Sequence, residues 1–356
     1  MKKRTISEVF IALFLILSLI PSVGMFFQGQ LKPSANETLA PAPGLTTAEG
    51  RLNQAVLKET TDYLADRFAL RKQLVTAWAR LNAGLLRTSA EEQVILGSDG
   101  WLYYTPSVDD YMGRAISDEE IERAVQNLAR MQDYAEAQGL RFLFKVAPNK
   151  DSLYPEHMPL YIVSAHESST LSRMQRYLEQ YGIHYVDLYT AFEEAGGCYY
   201  YKTDSHWTNR GAALAADTLL RAAGKEERYF NATFNTGAVH RGDLYEMLYP
   251  TGKNWEESED YAPGFSFRVS GDPRNGEALR ILTHCESAEG RLFCWRDSFG
   301  ISLYPYLAES FSDAQFSRSE TYDFQAVARF GADTVILEIV ERNLPRLTQM
   351  ELVLPS

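Results

Sequence analysis

Apolar residues in this chain follow three successive rhythms. From Val9 to Phe27 no residue is charged, and the run is apolar on every helical face. From Arg51 to Leu86 the apolar positions Leu52, Val56, Leu64, Phe68, Leu74 and Trp78 recur at helical spacing. Val94 to Tyr104 reads as two short strands around a Ser-Asp-Gly turn. From Ser117 onward, compact apolar runs alternate with amphipathic stretches. Ser117 and Glu120 form a capping box for a helix running to about Gln138, closed by Gly139. Strands are expected over Arg141–Ala147, Ile183–Tyr189, Ala278–Thr283, Arg291–Trp295 and Thr334–Val340. Helices are expected over Ser164–Tyr181, Ala191–Ala195, Asn209–Gly224, from just after Ser298 to about Leu307, and over Asp323–Phe330. This alternation predicts βαβ units and a mostly parallel sheet with helices on both faces. The strand runs are nearly continuously apolar, as double-sided burial requires. Residues 226–277 break the rhythm and read as an irregular insertion walling the site.

The first rhythm sets the expected address. Nineteen uncharged residues at about 1.5 Å each give about 28 Å, enough to span a hydrocarbon core. Lys2, Lys3 and Arg4 ahead of the run favour a cytoplasmic start and an extracytoplasmic body. A cleaved signal peptide shares this pattern. The expected organisation is a cytoplasmic start and transmembrane signal-anchor at 1–28, a Pro- and Ala-rich stalk at 29–48, and one catalytic domain at 49–356. Asn36 and Asn231 begin Asn-x-Thr sequons.

Bulk composition narrows the partners. The chain has 356 residues, 45% of them hydrophobic, enough for one large core or two ordinary ones. Forty-seven acidic against 35 basic residues leave a net charge of −12, which argues against nucleic acid. The three cysteines form no CxxC or Cys/His cluster, so no metal site and no cofactor is read. Cys285 and Cys294 flank a hairpin-turn sequence, ESAEG, and are either a disulfide or two small buried hydrophobes.

The chemistry gathers in two segments. CYYYKTDSHWTNRG sets Asp204 two residues before His206, with Trp207 next and a helix opening near Thr208. On an extended segment, side chains at i and i+2 leave on one side. A carboxylate beside an imidazole is the base half of a nucleophilic site. CWRDSFG supplies Ser298 at a strand-to-helix turn, where a hydroxyl is exposed and helix N–H groups can face an oxyanion. Ser298 is thus the candidate nucleophile, His206 the base and Asp204 its orienting partner. An Asp-Ser dipeptide is also an ordinary N-cap, and His240 and His284 are rival bases. His184 is expected to pack inside a strand, and His166 to open a helix. Tyr199, Tyr200 and Tyr201 suit sugar faces and hydroxyls, or else alternately pack the core. The loop Pro148-Asn149-Lys150 follows a strand, where ligands of such sheets sit.

The segments VILGSDGWLYY, FKVAPNKDSLYPEHMP, YYKTDSHWTNRGA, CWRDSF and VILEIVERNL, in this order, resemble the DHHW and alginate O-acetyltransferase-like proteins of the SGNH-hydrolase superfamily. The resemblance covers most of residues 50–345. It implies a three-layer α/β/α fold and a Ser-His-Asp site made of Ser298, His206 and Asp204 on the outer face of a membrane. It implies acetyl transfer onto polysaccharide hydroxyls, with a membrane-bound O-acyltransferase as acetyl supplier. An acetyl esterase, or a catalytically silent glycan-binding protein, are the competing expectations. Asn149 is a candidate oxyanion donor, and Trp207 and Tyr201 are candidate substrate contacts. Ser205 stands where the DHHW signature has a second histidine, and Arg296 where the usual Gly-Asp-Ser turn has glycine.

Overall fold

A computed structural model describes residues 2–25, 27, 39–47, 49–114, 116–165, 168–270 and 276–355. The expected stalk is therefore described only over 39–47, and Asn36, His166 and residues 271–275 of the insertion lie outside the described residues. The first elements are α1 (Lys2–Gly24), α2 (Val56–Arg67), α3 (Arg71–Leu81), β1 (Val94–Leu96), β2 (Leu102–Tyr104), α4 (Val108–Tyr111) and α5 (Asp118–Ala137). Then come β3 (Arg141–Ala147), α6 (Lys150–Leu153), α7 (Thr170–Gln180), β4 (Tyr185–Val186), α8 (Leu188–Ala195) and α9 (Asn209–Ala222). They are followed by β5 (Phe234–His240), α10 (Asp243–Leu248), β6 (Glu256–Tyr261), β7 (Arg268–Ser270) and β8 (Arg280–His284). The last are β9 (Arg291–Trp295), α11 (Gly300–Ala308), β10 (Asp313–Ser317), β11 (Thr321–Asp323), α12 (Phe324–Phe330), β12 (Thr334–Val340) and β13 (Glu351–Val353).

The chain divides into two compact units, residues 1–94 with 243–254, and residues 95–242 with 255–356. The first is helical. Its long expected helix over Arg51–Leu86 is two helices, because Leu70 takes a left-handed φ of 64° between α2 and α3. Among the described residues no helix is long and apolar enough to cross a membrane. The span expected over Val9–Phe27 is therefore not shown. Helix α1 covers Lys2–Gly24, and its uncharged part, Val9–Gly24, is about 24 Å long.

The second unit is built on a seven-stranded sheet of order β4-β3-β12-β9-β10-β8-β7. The first five strands are parallel, and β8 and β7 add antiparallel pairs at one edge. Alternate residues feed two separate cores. Leu143, Ala147, Ile336, Val340 and Cys294 face α8, α9 and α11 on one side. Phe142, Phe144, Val335, Leu337 and Trp295 face α5, α7 and α12 on the other. The three-layer α/β/α expectation is met, and every residue of β12 is buried. The Ser117–Glu120 capping box forms, and Gly139 and Gly182 take left-handed φ after their helices.

Three differences have local causes. The strand expected over Ile183–Tyr189 is only β4, because the Asp187 side chain accepts the Thr190 N–H and starts α8 early. His184 lies just before β4, outside any strand, with a 55% exposed side chain. The helix expected from Ser164 starts at Thr170, where the Ser169 hydroxyl accepts the Ser172 N–H. Strand β10, DAQFS, is not among the strands the pattern predicts, yet it lies between β9 and β8. Its buried Gln315 accepts a hydrogen bond from Arg280 at 3.0 Å, as most buried amides do. The stretch 226–277 is also not wholly irregular. It supplies the antiparallel ribbon β5–β6 and the edge strand β7. Cys285 and Cys294 are buried and unbonded, which decides for the two-hydrophobe reading.

Candidate active site

Ser298 follows β9 at the carboxyl edge of the parallel strands. The turn that carries it is bolted down by Asp297. That carboxylate accepts the N–H of Phe299 at 2.9 Å and of Val340 at 2.7 Å, while the Asp297 N–H donates to Glu338 at 2.9 Å. Arg296 occupies the usual glycine position without strain, since its φ is not left-handed. Its guanidinium donates to the carbonyls of Gly276 and Ala278, at 2.6 and 3.1 Å. Its stem lies where a Cβ on Gly300 would stand, 2.5 Å from such an atom, so the glycine this turn needs is at 300.

Asp204 and His206 sit in the tight loop before α9, whose N-cap is Thr208. Their meeting does not come from an extended segment. Asp204 Oδ1 accepts both the His206 backbone N–H, at 2.8 Å, and the ring Nδ1–H, at 2.7 Å. That is a side-chain-to-backbone turn of the kind aspartate favours. The other ring nitrogen, Nε2, lies 2.9 Å from Ser298 Oγ, across 92 residues of sequence. With Nδ1–H committed to the carboxylate, Nε2 is left as acceptor for the serine hydroxyl. The hydrogen bonds run in one direction, from hydroxyl to imidazole to carboxylate. This arrangement can take a proton from Ser298 as its oxygen attacks a carbonyl.

The loop is held from below and from the side. Lys150, 4% exposed, donates to the carbonyls of Tyr201, Lys202 and Asp204 at 3.1, 3.0 and 2.6 Å. Ribbon β5–β6 holds the other side. Ser258 meets the Tyr201 hydroxyl at 2.6 Å, and Glu256 accepts the N–H groups of Lys202 and Thr203 at 2.7 Å each. His240 Nε2 reaches Asp204 Oδ2 at 2.7 Å. Burial alone would raise the Asp204 carboxyl. The hydrogen bonds from His206 and His240 outweigh it and hold this group well below the usual carboxylate range.

Beneath both loops lies a fully buried ion pair. Lys145 and Glu338 are cross-strand partners on β3 and β12, 3.1 Å apart. Lys145 Nζ also stands 4.5 Å over the Trp207 ring. Glu338 is pushed up to about 7, first by burial and then by the Asp297 charge, with Lys145 opposing.

The remaining sequence candidates separate clearly. His284 ends an antiparallel strand and pairs with Asp313 at the opposite edge, so it is no rival base. His240 meets the carboxylate rather than the serine. Trp207 is 1% exposed, stacked on Phe192 and edge-on to Phe299, so its faces are filled by protein rather than open to a sugar. Tyr201 is likewise occupied, by His240 and Ser258, and Tyr200 is in the core. Asn149 is buried, its side-chain amide has no hydrogen-bond partner, and its backbone N–H donates to Glu341 at 2.8 Å. Sequence reasoning passed over Lys145 and Glu338. Their signal is one charge in each of two apolar strands, RFLFKVA and TVILEIV, since a charge covered on both sides has to be paired.

A parallel α/β sheet with a serine, an imidazole and a carboxylate in register at its carboxyl edge defines a serine hydrolase-like protein. A family model described as the SGNH hydrolase-like domain of the acetyltransferase AlgX matches residues 94–279, and the chain belongs to that family. The match takes in Asp204, His206 and His240 and ends before Ser298, so the serine rests on geometry. The chain is 29% identical over 209 residues to the probable alginate O-acetylase AlgJ of Pseudomonas syringae, covering 55% of this chain and 51% of that one. It thus spans about half the length of that relative. Bacillus cereus PatB1 is similar in fold, with a TM-score of 0.55 at 18% identity, over 69% of this chain and 95% of PatB1. A DHHW family protein from Eubacterium siraeum is similar with a TM-score of 0.52 at 14% identity, over 74% of this chain and 99% of that one.

Proposed function

We propose that the protein is a serine O-acetyltransferase acting on hydroxyls of an exported or cell-wall polysaccharide. The observation that carries this reading is His206, 2.9 Å from Ser298 and 2.7 Å from Asp204 through its two ring nitrogens. In the first half-reaction Ser298 Oγ attacks the carbonyl carbon of an acetyl ester or thioester donor, and its proton passes to His206 Nε2. The C–O or C–S bond to the donor breaks, the leaving group takes that proton, and the acetyl group stays on Ser298 as an ester. In the second, a sugar hydroxyl gives its proton to His206 and attacks the acetyl-serine. The glycan ester forms, the bond to Ser298 breaks, and the proton returns to Oγ. The buried, unpartnered amide of Asn149, on the same edge of the sheet, supports it as a donor to the oxyanion.

The name of the AlgJ relative supports a polysaccharide acceptor. The basic start and uncharged run at the amino end support an extracytoplasmic compartment, with acetyl supplied through a membrane-bound O-acyltransferase. Ser298 is half-buried and the His206 side chain is 24% exposed, so water can also serve as acceptor, which would make the protein an acetyl esterase. One experiment separates these. The purified chain is given a small activated acetyl ester, with and without cell-surface glycans. Hydrolysis that vanishes in Ser298→Ala, with acetyl diverted to glycan, supports the transferase. Equal activity in both proteins removes Ser298 from the mechanism, and no diversion to any glycan favours the esterase.

A further inference from the structure

Ribbon β5–β6 does more than wall the site. Its contacts reach the loop at consecutive residues, Tyr201, Lys202, Thr203 and Asp204, and the last is made by His240. The ring of His240 is itself fixed. It stacks on Tyr201 with centroids 3.9 Å apart and planes 16° from parallel. The backbone two residues on is pressed against the loop, since a Cβ at Gly242 would stand 2.1 Å from the Thr203 carbonyl oxygen. No side chain larger than hydrogen fits there, so the path of the chain leaving His240 depends on that glycine.

Asp204 consequently has both oxygens occupied. Oδ1 takes two N–H groups of His206, and Oδ2 takes His240 Nε2. An ionised carboxylate only accepts, so His240 is the donor. A carboxylate held at one oxygen is free to swing about its Cβ–Cγ bond, and each swing would take Oδ1 off the His206 ring. We propose that His240 is a positioning residue for the triad carboxylate, pinning Oδ2 so that Oδ1 keeps His206 in the tautomer and orientation that accept the Ser298 proton. This rests on the acetyltransferase reading for its kinetic consequence, but not for its geometric one.

The test uses His240→Phe, which keeps a flat ring on Tyr201 and removes the donor, and His240→Gln, which keeps a donor and loses the ring. Two readouts are taken on the full chain. One is Ser298-dependent turnover of an acetyl ester. The other is the low-field proton resonance of the Asp204–His206 hydrogen bond, followed in a Ser298→Ala background where turnover plays no part. In His240→Phe, kcat should fall about 10- to 100-fold, the scale of one hydrogen bond to a charged group, with KM unchanged and the resonance displaced. His240→Gln should recover a large part of both. An unmoved resonance and unchanged kcat in His240→Phe overturn the proposal. So does an equal fall in both variants with the resonance in place, which would assign His240 to packing alone. A resonance displaced by His240→Phe in a protein whose turnover does not depend on Ser298 supports the positioning role and removes the acetyltransferase reading instead.

Discussion

Two carboxylates lie under the same site and are buried to a similar degree, yet their surroundings drive them in opposite directions. In the loop before α9, Asp204 meets two imidazoles and a backbone N–H, and is held well below the ordinary carboxylate range. In the middle of the sheet, Glu338 meets one ammonium and one backbone N–H, with the Asp297 charge nearby, and is pushed up to about 7. Burial raises both. The number and sign of the partners decides which effect wins. The loop keeps a charge beside the His206 ring. The floor uses charge to tie the Trp207 loop to the Ser298 turn through Lys145 and Glu338.

The sharpest way to break this contrast is to remove the groups proposed to react. Ser298→Ala or His206→Ala should lower turnover of an acetyl ester by roughly 10³-fold or more, with circular dichroism unchanged. Asp204→Asn should cost roughly 10²- to 10⁴-fold in kcat, because the amide no longer fixes the His206 tautomer. A Glu338→Gln protein losing kcat as heavily as Asp204→Asn would erase the distinction between loop and floor.

The floor should answer in stability instead. Lys145→Met leaves Glu338 buried without its cation, and should cost roughly 3–5 kcal/mol in urea unfolding. The joint change Lys145→Met with Glu338→Leu should be far milder, and equal losses would show that the pair is not the relevant unit.

The pH dependence has opposite signs for the two groups. Glu338 has a folded pKa of about 7 against an ordinary value of 4.5. Between those values the native state holds a proton that the unfolded chain has lost, so stability falls as pH rises through the interval. Wild type should therefore lose roughly 2 kcal/mol more than the double variant between pH 5 and pH 8. Asp204 is depressed, so its contribution is present above the ordinary aspartate range and is lost as pH falls through the folded value. An Asp204→Asn protein should show a shallower acid limb in the same unfolding series. The smallest effect expected is at Arg296. Arg296→Gly removes three hydrogen bonds to carbonyls, those of Gly276, Ala278 and Asp297, at a position where φ is not left-handed. It should cost about 1–3 kcal/mol of stability and leave kcat within about tenfold.

Much of this molecule is legible in its sequence. Local rules sufficed for the capped helix at Ser117, the apolar strands Arg141–Ala147, Arg291–Trp295 and Thr334–Val340, and the helix capped by Thr208, because each is set by neighbours within a few residues. The Asp-x-His pair and the serine after a buried strand were visible as residue types suited to one reaction. Local pattern failed where a distant partner supplied the energy. Strand β10 is polar and became a central strand by fitting between β9 and β8. The ribbon β5–β6 has no rhythm of its own, because Phe234 and Tyr261 at one end pack on the core while His240, Glu256 and Ser258 serve the loop. The uncharged run Val9–Phe27 is helical as its pattern requires, as far as Gly24. Which of several histidines faces Ser298, and which faces the far oxygen of Asp204, was decided only by the tertiary fold. Hydrogen bonds hold over about 3 Å, and no spacing in a linear chain specifies which residues 92 positions apart will come that close.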